Sequence, residues 1–127
     1  MSDCLFCKIA AGEIPSTKVF ENERLLAFKD ISPAAPTHIL IIPKEHLDSI
    51  QEAGEAHKEL IGEIHLVATR IAAERGLAGN GPDRGGYRIV NNCGADGGQT
   101  VGHLHFHLLG LPVLFLALES GARFRTR

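Results

Sequence analysis

A chain of 127 residues has room for one domain with a real core, and not for two. Its composition is that of an ordinary globular protein, 44% hydrophobic and 22% charged, and its formal charge of −2 speaks against a duplex-DNA binder and leaves any bound phosphate to local groups. Three cysteines, an odd number, argue against a secreted disulfide framework, Asp3 stands where a signal peptide needs a basic start, and the longest apolar run, Leu111–Leu118, is broken by Pro112 and too short for a bilayer, so the cytoplasm is expected.

Residues 4–11 predict a short helix capped by Ser2 or Asp3, with Leu5, Phe6 and Ile9 on one side and Gly12 and Pro15 ending it. Lys18–Phe20 and Leu25–Lys29 read as two strands of a hairpin around the polar turn Glu21–Arg24. Asp30–Thr37, holding Pro33 and Pro36, is a loop, and His38–Pro43 is a buried strand closed by proline. From about Glu55 to Arg75, Leu60, Ile61, Ile64, Val67, Ala68, Ile71 and Ala72 recur at steps of three and four, which predicts one long helix stopped by Gly76. A glycine-rich connection follows over 76–86. Tyr87–Asn91 and Val101–Leu109 are the last strands, joined by the turn Asn92–Gln99. Hairpins around one long helix give an α+β domain: an antiparallel sheet of about five strands, one long helix and a short N-terminal helix.

The chemistry-bearing feature is the strict alternation His103-Leu104-His105-Phe106-His107-Leu108. Residues two apart share a strand face about 6.6 Å from one another, so three imidazoles should line one face while the apolar residues face the core. Such a stripe has little packing value, whereas imidazole serves as nucleophile, general acid or metal ligand near neutral pH. A three-histidine metal site competes with a catalytic one on these residues alone. The preceding Asp96-Gly97-Gly98-Gln99-Thr100 turn offers glycine backbone with N–H groups suited to an anion, and Gln99 and Thr100 add side-chain hydrogen-bonding groups. Cys4-X-X-Cys7 taken alone leaves a redox pair, a metal half-site and chance all open. His57 and His65, on the long helix, are expected to be solvated or boundary residues, and Cys93 stands apart from the other cysteines.

Gly98-Gln99-Thr100-Val101-Gly102-His103-Leu104-His105-Phe106-His107-Leu108-Leu109 resembles the signature of the histidine triad (HIT) superfamily. Phe28-Lys29-Asp30-Ile31-Ser32-Pro33-Ala34-Ala35-Pro36-Thr37-His38 with the Ile-Leu-Ile-Ile-Pro run after it, and Asn91-Asn92-Cys93-Gly94-Ala95-Asp96-Gly97-Gly98, resemble its Hint branch. The resemblance covers residues 4 to 110. It implies a homodimeric purine nucleoside phosphoramidase that hydrolyses the P–N bond of nucleoside 5′-phosphoramidates and needs no cofactor for catalysis. By that resemblance His105 attacks phosphorus and forms a nucleotidyl-histidine, while His107 and His38 flank the phosphate. Gln99 and Thr100 hold the phosphate and leaving group, and Asn92 orients the histidine pair. Asp30 binds the ribose hydroxyls of an adenosine or guanosine nucleotide, and Leu5, Phe6, Ile9, Phe28, Ile31 and Leu40 wall the base. The long helix and Tyr87–Asn91 would form the dimer interface, with no nucleic-acid or membrane partner.

Some bacterial members of the superfamily carry a structural zinc on two N-terminal cysteines, a histidine after the Ile-Pro-Lys turn and the first triad histidine. Cys4, Cys7, His46 and His103 fill those positions, so the resemblance implies a structural Zn²⁺ that clamps the N-terminus to the sheet. After Gly110 the residues depart from the Hint pattern: 111–127 read LPVLFLALESGARFRTR, with no tryptophan, and form a divergent tail on a 1–110 HIT domain. The alternatives to phosphoramidase are a dinucleoside polyphosphate hydrolase, a non-catalytic nucleotide-binding regulatory protein, and a zinc-stabilised structural module.

Overall fold

The computed structural model describes residues 3–79 and 85–110. Part of the 76–86 connection and the whole divergent tail therefore lie outside the described residues. Helix α1 (Leu5–Ala10) precedes strands β1 (Lys18–Glu21), β2 (Leu25–Lys29) and β3 (Thr37–Pro43); helix α2 (Lys58–Glu74) then leads to β4 (Tyr87–Asn91) and β5 (Phe106–Gly110). The strands form one five-stranded antiparallel sheet, as the sequence predicts, and their order is β1-β2-β3-β5-β4. Among the described residues no helix is long and apolar enough to cross a membrane.

The sheet is covered on both faces by different elements. On one side Leu25, Ala27, Ile39, Ile41, Phe106 and Leu108 pack against the α2 stripe Leu60, Ile64, Val67, Ala68 and Ile71. On the other, Leu26, Phe28, Leu40 and Ile42 pack against Phe6 and Ile9 of α1. Burial on both faces is why β2 and β3 read as unbroken apolar runs, although antiparallel strands more often alternate. Each large aliphatic side chain buried here contributes roughly 1.5–3 kcal/mol.

Several predicted boundaries move, among them that of β3, which begins at Thr37 and not at His38. The cap of α1 is Cys4, whose Sγ accepts the Cys7 N–H at 3.3 Å, and not Ser2 or Asp3. The long helix begins at Lys58, because Ile50–Glu52 and Glu55–His57 are separate 3₁₀ turns ahead of it. Its end is as the glycine predicts: Gly76 takes φ +74°, its N–H reaches Ala73 O at 3.1 Å, and the Leu77 N–H reaches Ala72 O at 2.8 Å. The β1 strand extends through Glu21, with Asn22 Oδ1 accepting from the Arg24 and Leu25 N–H groups to close the hairpin. The largest correction concerns the last strand, which starts at Phe106 and not at Val101. Residues 101–105 are irregular, held in part by the Leu104 N–H on Leu47 O at 2.7 Å, so His103 and His105 precede the strand and only His107 lies in it.

Candidate active site and metal centre

The alternation survives this correction in its direction, though not in its exposure. Leu104, Phe106 and Leu108 enter the α2-side core, while the histidines turn to the α1 side. His103 is 0% exposed and His105 4%, because Phe6 of α1 lays its ring edge-on against both, with centroids 5.9 and 5.2 Å away. They are therefore buried polar groups, and each ring nitrogen must be accounted for.

The hydrogen bonds assign the protons, because a carbonyl only accepts and a backbone N–H only donates. His105 Nδ1–H donates to His103 O at 2.7 Å, which leaves the Nε2 lone pair free. The backbone of His105 is held in turn by Asn91, whose Nδ2 donates to His105 O at 2.9 Å. The Ala34 N–H donates to His38 Nδ1 at 3.0 Å, so His38 carries its proton on Nε2 and donates to His107 Nδ1 at 2.9 Å. The neutral His107 then bears its proton on Nε2. Register brings the two rings together: Leu40 pairs with His107, making His38 its diagonal neighbour on the same face. Burial, with His105 and His38 beside it, holds the His107 imidazolium down to about pKa 4. Burial likewise lowers His38, against the opposing charge of Asp30.

Beside these rings lies a cleft of about 280 Å³, walled by Leu5, Phe6, Ile9, Phe28, Ile31 and Leu40 and reaching Asp30, Thr100, His105 and His107. All six apolar residues expected to wall a base thus line one cavity with the histidines. Ile14, Pro15, Ser16 and Val101 also line it; nothing in their spacing marked them beforehand. Asp30 Oδ1 accepts the Ser32 N–H at 2.7 Å, and Oδ2 lies 3.4 Å from His38 Nε2.

The glycine turn corrects one expectation, and two residues expected at the site take other partners. Its N–H groups are engaged internally, Gly97 and Gln99 on Gly94 O and Gly98 on Ala95 O, and so are not free for an anion. A Cβ on Gly97 would collide with Cys93 O, and Gly98 takes φ +88°, so these glycines serve the turn itself. Gln99, expected at the phosphate, gives its amide to Asp48 O and Val101 O and accepts the Gly94 N–H. Asn92, expected to orient the histidine pair, donates to Gly97 O at 2.8 Å; the asparagine bonded to the histidine segment is its neighbour Asn91. Of the turn residues expected at the site, Thr100 alone lines the cleft.

A second cluster lies at the N-terminus. His103 Nδ1 stands 3.3 Å from Cys4 Sγ, 3.6 Å from Cys7 Sγ and 3.2 Å from His46 Nδ1, and Cys7 Sγ is 3.2 Å from His46 Nδ1. The far nitrogens carry the protons, since His103 Nε2–H donates to Pro43 O at 2.9 Å and His46 Nε2–H to Asp48 Oδ1 at 2.7 Å. Both Nδ1 lone pairs therefore face one another, which no hydrogen bond between neutral rings explains. A tetrahedral zinc site with its usual bond lengths has N–N edges of about 3.3 Å and N–S edges of about 3.6 Å, close to these separations. Outer hydrogen bonds to a carboxylate and a carbonyl are what metal-bound imidazoles ordinarily make. The donor set is compatible with zinc.

Asp30, His38 and His107 also gather three potential ligands. Here the chemistry disagrees: a metal on His38 Nε2 would displace its proton while Nδ1 still accepts from Ala34, leaving an imidazolate. Within this trio His38 is hydrogen-bonded to His107, and the Asp30 carboxylate stands 3.4 Å from the same His38 nitrogen. His57 and His65 stay apart from both clusters, one accepting the Gly54 N–H, the other donating to Ile61 O.

A family model described as "Scavenger mRNA decapping enzyme C-term binding" matches residues 3–120. The chain belongs to the HIT family. The Escherichia coli purine nucleoside phosphoramidase is 42% identical to it, over 85% of this chain and 87% of that one. The maize 14 kDa zinc-binding protein is 49% identical, covering 86% of this chain and 82% of its own length. The crystal structure of a HIT family hydrolase from Legionella pneumophila superposes with a TM-score of 0.79 at 50% identity, over 85% of this HIT chain and 92% of that one.

Proposed function

We propose that this HIT protein is a hydrolase of purine nucleoside 5′-phosphoramidates, working through a nucleotidyl-histidine. The observation that carries the reading is the fixed tautomer of His105, whose Nδ1–H is tied to His103 O and whose Nε2 lone pair is left beside the apolar cleft. A neutral imidazole suits an anionic phosphorus centre, which repels charged nucleophiles, and a covalent intermediate divides one displacement into two easier ones. His105 Nε2 attacks phosphorus, the P–N bond breaks with its electron pair on nitrogen, and that nitrogen takes a proton from solvent water as the amine leaves. Water then releases the nucleoside monophosphate. His107 presents its Nε2–H to a phosphoryl oxygen, backed by His38, with Thr100 alongside. The uncharged purine occupies the apolar wall, and Asp30 at the same cleft takes the ribose hydroxyls. The likeness to the Escherichia coli phosphoramidase supports this choice of substrate.

Zinc belongs to the same reading, held by Cys4, Cys7, His46 and His103. Bound there, the ion supplies a closed four-coordinate crosslink between α1 and the sheet and takes no part in the reaction. The maize relative's description as a zinc-binding protein supports the assignment. A cytoplasmic homodimer completes it.

The experiment is steady-state hydrolysis of adenosine 5′-phosphoramidate beside a diadenosine polyphosphate, with wild type and His105→Ala. Wild type should prefer the phosphoramidate, and His105→Ala should lose at least about 1,000-fold in kcat, since removing a nucleophile removes the route itself. Preference for the polyphosphate would move the protein to that branch. A wild type that binds adenosine monophosphate and hydrolyses neither compound would make it a nucleotide-binding module.

A further inference from the structure

Asp30 has two carboxylate oxygens with different partners. Oδ1 is held by the Ser32 N–H at 2.7 Å in the turn after β2, which fixes the rotation of the carboxylate. Oδ2 lies 3.4 Å from His38 Nε2, the nitrogen that also donates to His107 Nδ1 at 2.9 Å. The side chains are 20% exposed for Asp30 and 6% for His38, so the contact is largely shielded from water. On its other edge His38 accepts the Ala34 N–H from the same loop. Among the described residues, the other ionisable groups at this corner are His105, beside His107, Lys29, which lines the same cleft, and Arg75, which lines a smaller pocket with Asp30 and His38.

We propose that Asp30 is a positioning residue for the histidine pair, its carboxylate and the Ala34 N–H fixing the tautomer of His38 and so aiming the His107 Nε2–H into the cleft. The consequence for chemistry rests on the phosphoramidase reading; the tautomer does not. A neutral pair contains two ring protons: one lies between the rings, and the other has only His107 Nε2 to occupy. An acceptor beside His38 Nε2 favours that arrangement, and so does a donor beside Nδ1. The same loop supplies both, which extends the role of Asp30 beyond contact with a sugar.

Asp30→Asn tests this, because the Ser32 N–H retains the amide oxygen and an NH₂ group takes the place of Oδ2. An N–H then faces an N–H, and the His38 proton is driven toward Nδ1. The ¹⁵N shifts of the imidazoles in labelled, ligand-free protein should show His38 and His107 protonated on Nε2 in wild type, with His38 shifted toward the Nδ1–H form in the variant. Asp30→Ala, which removes the acceptor without inserting a donor, should perturb the tautomer less than Asn does.

Turnover is read with adenosine 5′-phosphoramidate and its 2′,3′-dideoxy analogue, which has no ribose hydroxyls. Asp30→Asn should lower kcat on the order of 10- to 100-fold with both substrates, short of the roughly 100- to 1,000-fold that outright loss of such a donor costs, because the donor is misaimed and not removed. A folded Asp30→Asn protein with unchanged tautomers, or a kcat deficit confined to the ribose substrate, overturns the proposal. If wild type hydrolyses neither substrate, the phosphoramidase reading falls, and the ¹⁵N shifts still decide the tautomer.

Discussion

Burial above all, then His105 on one side and His38 on the other, discourage a second proton on His107 and outweigh the opposing pull of the Asp30 carboxylate. In the unfolded chain it protonates near pH 6.5, whereas the folded protein resists until about pH 4. Between those values the unfolded state binds more protons, so stability falls as the solution is acidified across that window and gains no further slope from this group below pH 4. His38 is shifted in the same direction. Melting temperature measured from pH 7 to pH 4 should therefore fall less steeply for His107→Asn than for wild type. Parallel slopes would show that His107 is not held neutral by the fold. The alternation in the sequence announced that these histidines share a side, but proton positions depend on acceptors such as His103 O and on donors such as the Ala34 N–H. Those are backbone groups, which carry no residue-type signal.

Secondary-structure elements explain which parts of the site were legible. The α2 stripe and the runs of β2 and β3 declare themselves by periodicity and length, because apolar burial dictates residue type at each position. The segment before β5 misleads, since Val101–His105 has the alternation of a strand and is instead tied down by the Gln99 amide and Leu47 O. Asn91 and Asn92 are separable only once strand register pairs the first with Phe106, from where its amide reaches the His105 carbonyl. The cysteines show a related limit: a pair three apart is ambiguous until His46 and His103 converge on it from distant parts of the chain. The clamp proposed there joins the short α1 to the body of the sheet. Metal analysis of protein purified without added metal should give close to one zinc per chain, and Cys7→Ser should lose it and lower the melting temperature. Wild type that is folded with near-zero metal would remove the clamp.

At the scale of the whole molecule, β4 closes one side of the sheet with every residue half-buried and, among the described residues, no strand beyond it. On α2, Leu66 is 70% exposed, an apolar side chain with no packing role within the described fold. Both lie where the resemblance places a dimer interface. Sedimentation equilibrium should accordingly return twice the chain mass of 13.7 kDa, and Leu66→Glu should shift the equilibrium toward the monomer. A wild-type monomer at micromolar concentration would overturn the homodimer. Sequence alone could nominate this surface only by analogy, since an exposed leucine and, among the described residues, an edge strand become visible once the chain has folded around them.

His103 contributes its side chain to the cysteine cluster and its carbonyl to His105. A carbonyl belongs to every residue type, whereas an imidazole does not, so evolution can act on the two contributions separately. Cys4, Cys7 and His46 form a set whose members are of little use singly, and they should be gained or lost together across the lineage. The bond that orients the proposed nucleophile can outlast them, because no substitution at position 103 removes the atom it depends on.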